Sequence, residues 1–222
     1  MLKENLSAVL EFIKNGNPFG ESITLVGATK FVDVSVINEA ISLGLKVVAE
    51  NQVQEFVKKT DFIKGASQHF IGHLQTNKVK YLVGKVELIH SVDSVRLLDE
   101  ISKRAQKLGV VQDVLLEINV KKEPTKSGLY LENLEDVLNI VKNYSGTRIK
   151  GFMCVLPICN DKEELAGYCK VMRTIYETYK NAFNLEYLSM GMSADYKTAI
   201  EYGSNMIRLG STIFGPRNYG DK

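Results

Sequence analysis

The chain has 222 residues, 45% of them hydrophobic and 24% charged, the balance of an ordinary globular protein long enough to bury one substantial core. Its 28 Lys and Arg residues nearly cancel its 26 Asp and Glu residues, so the net charge of +2 gives no support for a nucleic-acid-binding surface. Three cysteines, an odd number, argue against a disulfide-stapled secreted protein. We find neither a signal peptide nor an apolar run of about 18 residues, so we expect a cytoplasmic protein that does not enter a membrane.

Apolar runs of strand length alternate with segments of helical period along the whole chain. The N-terminal segment predicts an amphipathic helix with Leu6, Val9, Leu10 and Ile13 on one face. Eight strands are predicted, at residues 23–28, 46–49, 69–72, 88–91, 114–120, 151–155, 185–189 and 206–210. Helices are predicted between them at residues 34–43, 52–64, 77–82, 93–108, 134–144, 162–181 and 193–202, with Asp93 and Ser193 as N-caps.

Eight evenly spaced strand–helix units predict an α/β fold, a single (β/α)8 TIM barrel that occupies residues 1–222. An open doubly wound sheet is the alternative, but such sheets usually have fewer strands. The predicted barrel uses the entire sequence given, so we expect no second catalytic domain.

Lys30 follows the first predicted strand and its apolar run. A lysine at such a strand end is partly desolvated, which favours the free amine that Schiff-base formation with an aldehyde requires. An ordinary rim lysine that extends to solvent is the alternative, and position alone favours it. Lys126, in the loop at 121–128, is interpreted as a solvated loop lysine.

The loops after the seventh and eighth strands indicate a phosphate site, since barrels of this class frequently bind phosphate there. Gly191 and Gly210 let backbone N–H groups approach an anion, and Ser193 and Ser211 add hydroxyl donors. Arg208, inside the eighth strand, would face the barrel mouth if it had an anionic or ring-nitrogen partner. A salt bridge to Glu117 is the alternative, and the spacing leaves both open.

Seven segments resemble those of one known family, the pyridoxal 5′-phosphate (PLP) homeostasis protein family, also called the proline synthase co-transcribed family. They extend from the first strand to the C-terminus, and the last of them is long and specific. The segments are VGATK at 26–30, AENQVQEFVKK at 49–59, HFIGHLQTNKVK at 69–80, IHSVDS at 89–94, LLEINVKKEPTKSGL at 115–129, IKGFMCV at 149–155 and LSMGMSADYKTAIEYGSNMIRLGSTIFGPRNY at 188–219.

The resemblance implies a barrel like the N-terminal domain of alanine racemases, the fold type III of PLP proteins, with PLP as cofactor. It implies a Schiff base between PLP and Lys30, with Arg208 at the pyridine nitrogen and Asn51 near the ring. By the same resemblance Ser193, Gly210 and Ser211 would hold the phosphate, with Ser189 and Met190 beside it. We expect no catalytic residue and no metal site; His69 and His73 are separated by a turn and have no third ligand nearby.

We expect a PLP carrier rather than an enzyme, because racemisation needs a second acid or base that an added domain supplies in alanine racemases. In this hypothesis Lys30 captures PLP reversibly and delivers it to PLP-dependent apo-enzymes, and the chain is a monomer. The alternatives are a low-activity amino-acid racemase, a Schiff-base aldolase acting on a sugar phosphate, and a scaffold that binds only proteins.

Overall fold

Eight parallel strands close into a barrel in chain order in the computed structural model, which describes residues 1–159 and 161–216. The first strand pairs with the eighth, so the prediction of a closed barrel rather than an open sheet is confirmed. The strands are β1 (Thr24–Ala28), β2 (Val47–Glu50), β3 (Ser67–Phe70), β4 (Leu88–Val92), β5 (Gln112–Glu117), β6 (Thr147–Met153), β7 (Tyr187–Ser189) and β8 (Met206–Leu209).

Helices connect the strands and cover the outside of the barrel. They are α1 (Leu2–Ile13), α2 (Val34–Ser42), α3 (Val53–Lys59), α4 (Val95–Leu108), α5 (Leu134–Val141), α6 (Lys162–Phe183), α7 (Tyr196–Glu201) and α8 (Ser211–Phe214). Three further 3₁₀ helices lie at Thr60–Phe62, Thr76–Tyr81 and Leu131–Asn133. None of the helices in the described part of the chain has the length and apolarity needed to cross a membrane.

Both faces of the strands are buried, which explains why they appear in the sequence as nearly continuous apolar runs. One buried cluster takes one residue from each of six strands and fills the barrel interior: Val26, Ala49, Leu88, Leu115, Met153 and Met206. Two larger clusters lie between the strands and the surrounding helices. Each fully buried aliphatic or aromatic side chain in them contributes roughly 1.5–3 kcal/mol by its removal from water.

Several local predictions are wrong. Ser94, not Asp93, is the N-cap of α4, because its side chain accepts a hydrogen bond from the N–H of Leu97. Ser193 is not the N-cap of α7, since α7 begins at Tyr196 and the Ser193 hydroxyl accepts from the N–H of Thr212 in α8 instead. Residues predicted as a helix at 77–82 form a 3₁₀ helix. Of the predicted domain 1–222, residues 160 and 217–222 lie outside the described residues.

Candidate functional site

A cleft of about 470 Å³ opens at the carboxyl ends of the strands, where barrel active sites lie. Five of the eight predicted site residues line it, namely Asn51, Ser193, Arg208, Gly210 and Ser211. Apolar and small side chains complete the wall: Ala28, Ile71, Val155, Met192 and Ala194. The volume lies within the roughly 300–1,000 Å³ that small-molecule sites occupy.

The Arg208 guanidinium is the charged group of the cleft, and it is 95% buried. Strand β8 places the side chain in the barrel interior, where Arg208 pairs in register with Val26. Its Nη1 donates to the carbonyl oxygen of Ser189 at 2.9 Å and to the Ser189 Oγ at 2.8 Å, and its Nη2 donates to the carbonyl oxygen of Cys154 at 3.0 Å. Burial lowers the pKa of Arg208. Its hydrogen bonds go to these three oxygens, and no salt bridge to Glu117 forms within residues 1–159 and 161–216.

Three of the five N–H groups of the guanidinium make these contacts. The group is therefore held rigidly by neutral oxygens and keeps its full positive charge for a ligand. A charge buried without a carboxylate partner is costly to the fold, which indicates a functional reason for its presence.

The two predicted phosphate loops meet at one wall of the cleft. The N–H of Thr212, at the start of α8, donates to the Ser193 Oγ at 3.3 Å and ties the loops together. Gly191 has a φ of +97°, and a Cβ there would lie 2.9 Å from the Cα of Tyr196, so the first loop needs glycine for this close turn. The wall therefore offers small residues, hydroxyls and backbone N–H groups.

Asn51, which follows β2, also lines the cleft. Its Oδ1 is buried and has no hydrogen-bond partner among the residues that the structure describes. Such an atom costs stability unless a ligand satisfies it. Gly72 packs directly against Asn51, since a Cβ at Gly72 would lie 1.9 Å from the carbonyl oxygen of Asn51.

Lys30 lies two residues beyond β1 and is half-buried, with its Nζ 4.8 Å from the ring centroid of Phe31. Phe31 has a left-handed backbone with a φ of +62°. The ammonium thus rests on the Phe31 ring rather than among the residues that line the cleft.

A buried cluster that the sequence analysis missed fixes the backbone on both sides of Lys30. The Lys59 Nζ donates to the carbonyl oxygen of Thr29 at 3.0 Å, to Glu50 Oε1 at 2.8 Å and to Glu55 Oε2 at 2.6 Å. Glu55 Oε2 also accepts from the N–H of Phe31 at 3.0 Å, and the Thr29 hydroxyl donates to Glu50. The spacing of Glu55 and Lys59 on a predicted helix could have indicated this pair, whereas the contacts to Thr29 and Glu50 depend on barrel closure.

Comparisons with known proteins identify the family of this chain. The family model described as alanine racemase, N-terminal domain, matches residues 26–218. The chain is 44% identical over 224 residues to the pyridoxal phosphate homeostasis protein of Aquifex aeolicus, covering 97% of this chain and 98% of the relative. It is 31% identical over 208 residues to the protein of the same name in Escherichia coli strain K12, covering 91% and 89%.

The chain belongs to the pyridoxal phosphate homeostasis protein family. Its barrel superimposes on that of PipY from Synechococcus elongatus with a TM-score of 0.88 at 28% identity, covering 97% of this chain and all of PipY. A second PipY structure, with PLP bound, gives a TM-score of 0.86 at 27% identity and covers 97% and 100% of the two chains. An alanine racemase from Corynebacterium glutamicum, 11% identical, has a TM-score of 0.75 and shares the fold; the match covers all of this chain and 62% of the racemase.

The two remaining predicted site residues of this family member, Ser189 and Met190, are fully buried behind the cleft. Ser189 contacts Arg208, whereas Met190 packs in the hydrophobic core. Cys154, whose carbonyl oxygen holds Arg208, was not predicted, because a backbone acceptor leaves no signal in the sequence.

Glu117, the last residue of β5, is buried. Burial and the negative charge of Asp93 raise the pKa of Glu117 to about 7, although the charge of Arg208 opposes the shift. The Glu117 carboxyl is therefore partly protonated near neutral pH, and it then offsets less of the positive charge of Arg208.

The predicted separation of His69 and His73 is visible in the structure. His69 contacts His90 inside the barrel, whereas the exposed His73 contacts Asp93 and Ser127. Within the described ranges no three His, Cys, Asp or Glu side chains are grouped as a metal ion would need.

Proposed function

We propose that this chain binds PLP in the cleft at the barrel mouth, holds it as a Schiff base on Lys30, and buffers or delivers it in the cytoplasm. PLP supplies an aldehyde, which condenses with a free lysine amine. The observation that carries the proposal is the convergence of Arg208, the two loops joined by Ser193, and the unpaired Asn51 oxygen on one cleft.

The residues present fit each part of such a ligand. Arg208 keeps two N–H groups beyond its protein contacts, enough to donate to a pyridine nitrogen. Ser193, Ser211 and the backbone at Gly210 provide donors for a phosphate group. The unpaired Asn51 oxygen accepts a hydrogen bond from a ring hydroxyl. Ile71 and Val155 provide apolar contact for a flat ring.

Binding at Lys30 requires its side chain to leave the Phe31 ring and turn into the cleft. Thr29 and Phe31 stay fixed through Lys59 and Glu55, so only side-chain torsions change. A rotation of this kind is fast compared with capture of a ligand. The cluster therefore keeps the Lys30 backbone at the cleft edge whether or not the amine is engaged.

The lining of the cleft supports a carrier rather than a racemase. Among the described residues that line it, none is Asp, Glu, His, Cys or Tyr. Racemisation needs a second acid or base on the face of the substrate opposite the lysine. Arg208 does not serve, because a guanidinium does not release its proton at neutral pH.

Equilibrium dialysis of PLP against wild type, Arg208→Met and Lys58→Met tests binding in this cleft. We expect one PLP per chain for wild type and for Lys58→Met, whose lysine is exposed on α3. Arg208→Met should bind at least tenfold more weakly, since a buried charged donor contributes roughly 1.5–3 kcal/mol. Equal binding by all three would refute this assignment of the cleft.

The carrier role makes a second, separate prediction. The PLP-loaded protein should transfer cofactor to an apo-enzyme that depends on PLP and restore its activity. It should not wash solvent deuterium into the α-carbon of alanine above a control with free PLP. Exchange above that control would instead favour the racemase alternative.

A further inference from the structure

A line of buried polar side chains crosses the barrel from the cleft to its opposite end. Arg208 Nη1 contacts the Ser189 Oγ at 2.8 Å, and this Oγ lies 3.4 Å from His90 Nδ1. His90 Nε2 lies 3.0 Å from His69 Nδ1. Ser189 and His90 are fully buried, and His69 is 95% buried. The function proposed above assigns no role to either histidine.

The direction of these hydrogen bonds follows from the arginine. A guanidinium only donates, so the Ser189 oxygen accepts from Arg208. The Ser189 hydroxyl proton then needs an acceptor, because the group has no access to water. Among the described residues, His90 Nδ1 is the other contact of this oxygen. His90 therefore accepts at Nδ1 and carries its own proton at Nε2, which donates to His69 Nδ1.

Burial keeps both imidazoles neutral, as this arrangement requires. Burial lowers the pKa of His69 to about 4. Burial lowers the pKa of His90 well below its ordinary value, and the charges of His69 and Arg208 lower it further. A neutral imidazole has one donor and one acceptor nitrogen, so each histidine accepts a hydrogen bond on one side and donates one on the other.

The line ends at a small cavity of about 150 Å³ at the amino ends of the strands. His69 lines this cavity together with Glu87, Asp113, Glu186 and Lys150. Lys150 pairs with Glu186, and Asp113 pairs with Arg148. With Nδ1 accepting, the His69 proton lies on Nε2, and the carboxylates that line the cavity with it are hydrogen-bond acceptors. A surplus of acceptors at this end favours the same direction as the arginine end.

We propose that His90, supported by His69, is a positioning residue for the PLP site: it orients the Ser189 hydroxyl and thereby fixes the Arg208 guanidinium in the cleft. Its consequence for PLP affinity rests on the function proposed above, whereas the direction of the hydrogen bonds is a property of the protein alone. The two parts are tested separately.

The first test uses the protein without PLP. Long-range ¹H–¹⁵N correlation spectra distinguish protonated from unprotonated ring nitrogens, and the chain has only three histidines. His73, which is exposed, serves as the internal reference. We expect His90 and His69 both neutral with the proton on Nε2 at pH 7.5. A proton on His90 Nδ1, or a charged His90, would overturn the proposal whatever PLP does.

The second test compares two substitutions of His90 by PLP dialysis. His90→Leu leaves the Ser189 hydroxyl without an acceptor, and we expect the dissociation constant for PLP to rise about tenfold. His90→Asn places an amide oxygen near the position of Nδ1, and we expect it to restore most of the affinity. If His90 only fills space, His90→Leu should instead keep a higher PLP affinity than His90→Asn, because Leu is closer to His in size.

Ser189→Ala keeps the test decisive if His90→Leu does not fold. This variant removes the donor to His90, so we expect the NMR spectrum to show His90 in a mixture of its two neutral forms. An unchanged His90 spectrum together with unchanged PLP affinity would overturn the proposal. Failure of wild type to bind PLP would refute the proposed function while the NMR result still decides the direction of the hydrogen bonds.

Discussion

Replacement of Lys59 by Met tests the buried cluster that fixes the backbone beside Lys30. The side chains of Lys59, Glu50 and Glu55 are only 13%, 4% and 16% exposed. Removal of one partner from a buried ion pair costs about 3–5 kcal/mol, and partial access of water to Lys59 reduces this. We therefore expect Lys59→Met to lower the free energy of unfolding by about 2–4 kcal/mol at pH 8.

The loss should depend on pH in a defined direction. Burial raises the pKa of Glu50 even though Lys59 opposes the shift, so without Lys59 this pKa rises further. A carboxyl whose pKa is higher in the folded state stabilises the fold at low pH, and this stabilisation disappears as the pH rises through the folded-state pKa. Glu55 also makes the loss larger at high pH. Although burial opposes the shift, hydrogen bonds from Lys59 and Phe31 lower the pKa of Glu55, so its ionised form stabilises the fold at high pH. Part of that stabilisation disappears when Lys59 is removed.

The deficit of Lys59→Met should therefore shrink between pH 8 and pH 5, by at most about 1.4 kcal/mol per pH unit for each proton taken up. Urea unfolding followed by circular dichroism measures it for wild type, Lys59→Met and the matched control Lys58→Met, whose lysine is exposed on the same helix. We expect Lys58→Met to change stability by less than about 0.5 kcal/mol. A loss for Lys59→Met no larger than that, or one that grows as the pH falls, would refute the reasoning.

Three further predictions concern Gly72, Glu117 and Arg208. Gly72→Ala should lower the free energy of unfolding by more than about 3 kcal/mol, because its Cβ would overlap the Asn51 carbonyl. Gly167→Ala, in open space on α6, should raise it by about 0.5–1 kcal/mol. Comparable effects of the two substitutions in urea unfolding would contradict this. Glu117, with a pKa raised from 4.5 to about 7, should contribute about 3 kcal/mol less stability above pH 7 than below pH 4.5, and the loss should occur between those two values. Glu117→Gln should flatten the stability profile between pH 4.5 and pH 7, and an unchanged slope there would contradict this. Arg208→Lys should weaken PLP binding in dialysis, since an ammonium cannot hold three oxygens and still present a planar donor; unchanged affinity would contradict this.

The barrel could be predicted from the sequence because each strand is buried on both faces and each helix on one. Those two patterns differ in period, so eight repeats of them are visible without any knowledge of contacts. The first and last residues of the strands were harder to predict than the strands themselves. β5 begins at Gln112 and β6 at Thr147, earlier than predicted, because their first residues are polar or charged and do not extend the apolar run.

The site was only partly predictable, and the reason is separation along the chain. Arg208 and the two phosphate-type loops lie near one another in sequence, and the position of such loops in barrels is general. The pairing of His69 with His90, by contrast, follows from the register of β3 with β4. Ser94 displaced Asp93 as a cap for a local reason: its extended backbone places the hydroxyl over the first turn. Both contacts depend on geometry that residue type alone does not specify.

Borohydride reduction followed by peptide mass mapping tests the proposed attachment of PLP to Lys30 most directly. The protein is mixed with equimolar PLP, reduced and digested, and the lysine that carries a pyridoxyl phosphate group is identified. We predict one group per chain, on Lys30, and loss of both the group and the visible absorption band in Lys30→Ala. A reduced group on another lysine in wild type, or equal labelling of Lys30→Ala, would contradict it.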